Sequence, residues 1–334
     1  PISVREAVGV IDLSGFAKFE VAGAGALDSL QFAASADMDL PVDRAAYTLF
    51  LNDHGGIEAD GTVTRVAADR FLVVTPSSSR HRMLWLLRRR SRGHAATVTD
   101  LTSGTAVLGV FGPRSRDLLT RVSPDDWSAE AHPYFGGRRV EIADGFAYAL
   151  RVSFTGELGF EIYCDADLSV NVLDALSEAG ADLGLGMVGY LALDSLRLEK
   201  GYRHLGHDMG PYDDPVSAGL GFAVAWSKEA DFAGRRALEQ RSQGPSTRVI
   251  HVALEDPGVR LWGEETVCID GEPVGRLTSG AFGYTVGSPI GLAMVGVDVD
   301  PDDARLSVRV RGVDHAARGS RSPFYDPTGT RVRG

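Results

Sequence analysis

Tyr47-Thr48-Leu49-Phe50-Leu51-Asn52-Asp53-His54-Gly55-Gly56-Ile57-Glu58-Ala59-Asp60-Gly61-Thr62-Val63-Thr64-Arg65-Val66 reads as two strands joined by a turn. Tyr47–Leu51 is aromatic and apolar, and Asn52–Gly56 is a cluster of turn formers. Thr62–Val66 alternates, Ala67–Arg70 turns, and Phe71–Thr75 returns as a further strand. Repeated hairpins of this kind specify an antiparallel sheet. Helices are expected on either side in sequence. Gly23–Ala33 places Leu27 and Leu30 on one face, after a strand at Ala17–Val21. Ser79–Arg92 places Met83, Leu84, Leu86 and Leu87 opposite the basic run Arg88–Arg90.

Two further regions follow. From about 105 to 240 strands are expected at Ala106–Phe111, Ala147–Phe154 and Gly159–Cys164. Helices are expected at Ser115–Val122, Ser169–Ala179 and Leu191–Lys200, the last ended by Gly201. Gln243-Gly244-Pro245-Ser246 is the strongest linker signal. Beyond it, short strands at Val249–Leu254, Glu265–Ile269, Val274–Ser279, Gly291–Val297 and Leu306–Val310 predict a small β barrel or sandwich. The expected organisation is therefore α+β, with residues 1–104 and 105–243 forming one pair of domains and 244–334 a C-terminal β domain.

The 334 residues are 44% apolar and 24% charged, enough to bury sizeable cores. A formal net charge of −11 argues against nucleic acid or an anionic membrane as partner, since both select a cationic face. No apolar run is long enough to span a bilayer, and no secretory signal opens the sequence. Cys164 and Cys268 make neither a disulfide framework nor a metal spacing, which leaves a reducing cytoplasm as the expected setting.

Few residues point to chemistry by spacing alone. Gly184-Leu185-Gly186-Met187-Val188-Gly189 matches G-x-G-x-x-G, but a helix rather than a strand precedes it, so a loop is expected. His204, His207, Asp208, Asp213 and Asp214 cluster without a diagnostic metal spacing, and caps or loop decoration explain them as well. Asp60 lies where the Gly-Gly turn enters a strand, and Gly61 beside it leaves room for a ligand to approach. Glu161 alternates with Phe160 and Ile162, the pattern of an ordinary solvent-facing acid. Either carboxylate could instead pair with a heterocycle that presents N–H donors.

Six motifs in order resemble the folate-binding aminomethyltransferase family, whose type member is the glycine-cleavage T-protein. They are Val4-Arg5-Glu6-Ala7-Val8-Gly9 with Asp12-Leu13-Ser14; Tyr47-Thr48 through Asp60; Leu108-Gly109-Val110 with Gly112-Pro113-Arg114-Ser115; Thr155-Gly156-Glu157-Leu158-Gly159-Phe160-Glu161; Ala192-Leu193-Asp194-Ser195-Leu196-Arg197-Leu198-Glu199-Lys200-Gly201-Tyr202; and Gly263-Glu264-Glu265 through Thr278-Ser279-Gly280. The match is closer to the folate-binding portion of dimethylglycine and sarcosine dehydrogenases.

The resemblance implies a three-domain cloverleaf around a central channel that holds tetrahydrofolate. The cofactor would be tetrahydrofolate itself or its 5,10-methylene or 5-methyl form. Asp60 matches the family's essential acid, near N10 and N5 of the folate. Glu161 matches the acid that pairs with the pterin's amino and ring N–H groups. Tyr47 and Val74 match residues that line the pterin pocket, with Tyr190 beside it. Tyr325, in Pro323-Phe324-Tyr325, matches a terminal segment that closes over the site. One departure stands out: Leu193 replaces an Arg by which the T-protein holds the pterin, a change that the demethylating dehydrogenases tolerate.

The implied activity is transfer of a one-carbon unit (methylene, hydroxymethyl, aminomethyl or methyl) between tetrahydrofolate and a small amine or metabolite. No flavin domain is read in these residues, so a separate oxidase or carrier protein is the implied partner. Metal is not implied. The alternative is a non-catalytic folate-binding or channelling partner of such an oxidase. An iron–sulfur maintenance role would need a Lys-Gly-Cys-Tyr-x-Gly-Gln-Glu motif, and Lys200-Gly201-Tyr202-Arg203 lacks it.

Overall fold

A computed structural model describes residues 1–240 and 244–334. Gln243 of the expected linker, and with it the 243/244 boundary, lies outside the described residues. Three β units organise the chain. The first is a five-stranded antiparallel sheet in the order Arg44–Leu51, Ile57–Ala67, Arg70–Thr75, Ala17–Ala22, Thr97–Asp100. The second has six strands in the order Leu185–Met187, Val8–Asp12, Thr105–Phe111, Gly159–Asp165, Gly145–Leu150, Gly137–Ile142. The third is a closed barrel of Thr247–Leu254, Ser288–Gly296, Glu272–Gly283, Thr266–Ile269, Leu306–Val310 and Val313–Ser320. The α+β class and the C-terminal barrel are thus as expected.

Each open sheet is backed by two helices, because its strands alternate apolar side chains toward them. Ala26–Ala33 and Arg80–Arg90 bury Leu30, Met83 and Leu87 against Phe19, Phe50, Phe71 and Val73. Ser115–Val122 and Ser169–Ala179 bury Leu118, Leu119, Val172 and Leu176 against Val110, Phe160 and Ile162. The opposite sheet faces are not left to water. They share a third cluster in which Ala45 and Val74 of the first sheet meet Val107, Phe111, Leu150 and Tyr163 of the second, with Leu193 and Leu196 of helix Tyr190–Glu199. The sheets also join edge to edge. The Ala45 N–H donates to the Phe135 carbonyl over 2.9 Å, and the Gly137 N–H to the Asp43 carbonyl over 2.8 Å.

The chain after that helix folds back. Met209, Leu220, Phe232 and Leu238 pack on Leu49, Leu51 and Ile57 at one end of the first sheet. A Cβ on Gly56 would sit 1.8 Å from the Pro211 carbonyl oxygen, so only glycine lets the turn approach this segment. The barrel is held by polar joints. Arg5 donates to Glu157 (3.1 Å) and Glu199 (2.8 Å), and Glu199 accepts from the N–H of Thr285 in the barrel. Arg197 pairs with Asp208 at 2.6 Å, whose other oxygen accepts from Thr278 and Ser279.

Local expectations were corrected where long-range pairing decides. The strand expected over Ala147–Phe154 stops at Leu150; Arg151 still pairs with Gly136 and Phe135, and the Val152 N–H then folds back onto the Leu150 carbonyl. The G-x-G-x-x-G stretch is no loop: Leu185–Met187 is a short edge strand, parallel to Val8–Val10. Gly201 does end its helix, with φ +73 in the left-handed region that favours glycine. No helix among the described residues is long and apolar enough to cross a membrane.

Candidate functional site at the junction of the two sheets

The turn before Asp60 is fixed by Asn52, whose Oδ1 accepts from the N–H groups of His54 and Gly56, each at 2.9 Å. That turn sets the register: Leu49 lies opposite Asp60, and Tyr47 opposite Thr62. Along the Asp60 strand, Ala59 and Val63 face the helix-backed core, so Asp60 and Thr62 face the other way. Thr62 in turn lies opposite Val74, which belongs to the cluster shared by both sheets.

Asp60 is buried. Its Oδ2 accepts from the Tyr47 hydroxyl at 3.0 Å, and its Oδ1 is buried with no hydrogen-bond partner among the described residues. Burial pushes its pKa up to about 6, against the smaller opposing pull of the Tyr47 hydrogen bond. Burial and the adjacent carboxylate hold the Tyr47 phenol well above its ordinary value, so it serves as a neutral donor. Gly61 has a different job from the one its position suggests. A Cβ there would lie 2.4 Å from the Val74 carbonyl oxygen, so the glycine admits the neighbouring strand, on the side away from Asp60.

Glu161 is built the same way in the second sheet. Phe160, Ile162 and Cys164 point into the helix-backed core. Glu161 and Tyr163 therefore point toward the shared cluster, in which Tyr163 takes part. The Tyr163 hydroxyl donates to Glu161 Oε2, and Oε1 has no hydrogen-bond partner among the described residues. Burial raises the Glu161 pKa to about 7. The solvent-facing reading of this acid is overturned, because the strand is covered on both faces rather than one.

Val74 and Leu193 share one cluster with Tyr163, and Tyr47 packs beside Leu49 and Leu51 at the end of the first sheet. Tyr47 and Asp60 are hydrogen-bonded, and Glu161 is hydrogen-bonded to Tyr163. The other two expected residues, Tyr190 and Tyr325, make contacts of their own. Tyr190 is 54% exposed, with its hydroxyl against the Gly15 turn. Tyr325 lays its ring on the Arg5 guanidinium, 3.9 Å away, and its hydroxyl donates to Glu157, so it belongs to the joint between the units.

Three residues were missed. Tyr163 carried a signal, a Tyr two positions from Glu161 on the same strand face. Phe222 stacks on Tyr47 with ring centroids 6.1 Å apart, and Arg203 sits within electrostatic reach of the Tyr47 phenol. Neither had a sequence signal, since both come from the segment that folds back. Of the His/Asp cluster, Asp208 is consumed by Arg197, Thr278 and Ser279, and Asp214 accepts from Val216 and Ser217.

Fold and site together define an α+β protein of two helix-backed sheets and a barrel, with two buried carboxylates where the sheets meet. That class has known members. Residues 2–228 match the GCVT N-terminal domain, and residues 248–326 match the glycine cleavage T-protein C-terminal barrel domain. The aminomethyltransferase of Symbiobacterium thermophilum is 33% identical over 329 residues, 97% of this chain and 88% of that one. The glycine cleavage system aminomethyltransferase T from Bartonella henselae superposes with a TM-score of 0.87 at 26% identity, covering 98% of this chain and 88% of its own. The chain belongs to the glycine-cleavage T-protein, or aminomethyltransferase, family. The 4-methylaminobutanoate oxidase (formaldehyde-forming) of Paenarthrobacter nicotinovorans is 55% identical over 333 residues, 99% of this chain. The chain spans 40% of that oxidase's length.

Proposed function

We propose that this chain transfers a one-carbon unit between tetrahydrofolate and a small amine. One observation carries the reading: of two buried carboxylates of raised pKa, Asp60 keeps Oδ1 buried with no hydrogen-bond partner among the described residues, and Glu161 is hydrogen-bonded among them through Oε2 alone. A buried polar atom without a partner is costly, and such atoms gather where a ligand completes them. A reduced pterin fits the donor set. It offers adjacent N–H groups for Glu161 and flat faces for Val74, Leu193 and Tyr47. When bound, tetrahydrofolate supplies nucleophilic nitrogens that carry carbon at the formaldehyde level.

The protein's own groups divide the remaining work. Glu161, oriented by Tyr163, fixes the heterocycle. Asp60, oriented by Tyr47, changes protonation near neutral pH. It can take or return a proton, and as the anion it stabilises positive charge developing on nitrogen. Leu193 contributes a wall and no charge. The name of the 4-methylaminobutanoate oxidase relative, formaldehyde-forming, favours an N-methyl amine as the source of the carbon. Its oxidation would fall to an amine-oxidising unit beyond these residues, covalently joined or separate.

Anaerobic calorimetric titration with tetrahydrofolate tests the reading, with Glu161→Ala alongside. Binding by the wild type that Glu161→Ala loses supports it. Equal binding by both removes Glu161 from the site, and no wild-type binding overturns the folate assignment. Binding together with turnover indifferent to Asp60→Asn would favour a non-catalytic channelling partner.

A further inference from the structure

We propose that Arg203 is an anion subsite of this site and takes a carboxylate of the bound ligand. The inference rests on the one-carbon transfer reading above. Arg203 follows Gly201, where the chain leaves helix Tyr190–Glu199 through a left-handed residue. Its Nε donates to the Ala218 carbonyl at 2.9 Å and its Nη1 to the Gly201 carbonyl. Among the described residues Nη2 has no acceptor.

Among the described residues no carboxylate forms an ion pair with Arg203. Asp208 is the acid that acts on Arg203, yet its oxygens are taken by Arg197, His204, Thr278 and Ser279. Burial works against the Arg203 cation and pulls its pKa down. A guanidinium held largely in protein, tied only to neutral carbonyls, is a receptor for a planar anion. The loop is shaped to hold it. Gly219 has φ +69, and a Cβ there would lie 2.6 Å from Nη2.

Its neighbours fit the same ligand. Arg203 lies within electrostatic reach of the Tyr47 phenol, which donates to Asp60. Phe222, 76% exposed, stacks on the Tyr47 ring at an interplanar angle of 27°. The buried acid Asp60, the aromatic pair Tyr47–Phe222 and the Arg203 cation are therefore neighbours. That grouping suits a molecule whose carboxylate stands away from its reactive nitrogen. Two sources have this chemistry: the glutamyl tail of a folate, and the carboxylate of an amino-acid-like amine.

The test is anaerobic calorimetry on wild type, Arg203→Ala and Arg203→Lys. The ligands are tetrahydrofolate, the tail-less 6-methyltetrahydropterin, and 4-methylaminobutanoate added to folate-saturated protein. If the tail is held, Arg203→Ala weakens tetrahydrofolate about tenfold to a hundredfold, Arg203→Lys weakens it less, and 6-methyltetrahydropterin is unchanged in both. If the amine's carboxylate is held, tetrahydrofolate is unchanged and 4-methylaminobutanoate weakens by a similar factor. Unchanged 6-methyltetrahydropterin binding shows that the variants are folded. Equal affinities for all three ligands in wild type and variants overturn the Arg203 assignment alone. Parallel weakening of the tail-less pterin overturns it too, because a general packing role would do that. Failure of the wild type to bind tetrahydrofolate overturns this inference together with the reading on which it rests.

Discussion

The Tyr47 hydroxyl donates to Asp60 Oδ2 at 3.0 Å, and the carboxylate's other oxygen is buried with no partner among the described residues. The bond and the burial pull the acid in opposite directions, and burial wins. The resulting pKa of about 6 leaves both protonation states accessible near neutrality, as proton transfer requires.

Tyr47→Phe removes the group that favours the Asp60 anion. The acid limb of the turnover–pH profile should move upward from about pH 6, by about half a unit to one unit for a lost neutral hydrogen bond. Asp60→Asn should retain tetrahydrofolate affinity within a few-fold and lose about a hundredfold or more in turnover. Steady-state rates across pH, with calorimetry for affinity, check both variants.

The same acid should weaken the fold above its pKa. An ordinary Asp titrates near 3.8, and here the value is about 6. Between those values the folded chain binds more protons than the unfolded one, so stability falls as pH rises through that window. The loss is complete above pH 6 and amounts to about 2–3 kcal/mol. Asp60→Asn keeps an acceptor for Tyr47 and removes the charge. It should melt higher than wild type at pH 7.5 and level with it near pH 4. Denaturant melts at the two pH values read this directly, and a gain that persists at low pH would point to packing instead.

Arg5 supports the joint on which the site depends. Its guanidinium meets Glu157 and Glu199 and donates to the carbonyls of Thr155 and Leu196, all of them buried. Arg5→Met leaves two buried carboxylates without their cation, a change that costs about 3–5 kcal/mol. Arg121→Ala removes a pair that lies in solvent and should not shift the melt measurably. Urea titration of the two variants separates them.

What could be read in advance follows the range of the interactions. The Asn52–Gly56 turn, helices Ser115–Val122 and Ser169–Ala179, and five of the six barrel strands are set by local pattern, and all were legible. Val313–Ser320 was not. Its Ala317 is the one fully buried residue among mostly polar neighbours, and pairing with Leu254 and Ser307 makes it a strand. Asp60 and Glu161 were legible as motif positions, but their burial was not, because it comes from parts of the chain distant in sequence. Arg203 and Phe222 reach Tyr47 only through a chain reversal that no local signal marks.

Gly61 separates two reasons for a glycine beside a buried acid. If it makes room for a ligand, Gly61→Ala should lower affinity and leave the free protein intact. The geometry gives the other answer: the added Cβ would meet the Val74 carbonyl oxygen at 2.4 Å and the Thr75 Cγ2 at 2.9 Å, both on the neighbouring strand. A backbone oxygen cannot rotate away as a side chain can. The strands must part, at a cost of about 1–3 kcal/mol for an overpacked core position. Gly104→Ala, whose nearest neighbour would be 3.9 Å from the new Cβ, should be close to neutral. Gly61→Ala should therefore unfold at lower denaturant, and under conditions where it is fully folded it should bind tetrahydrofolate within a few-fold of wild type. Normal stability with lost affinity would return Gly61 to the ligand.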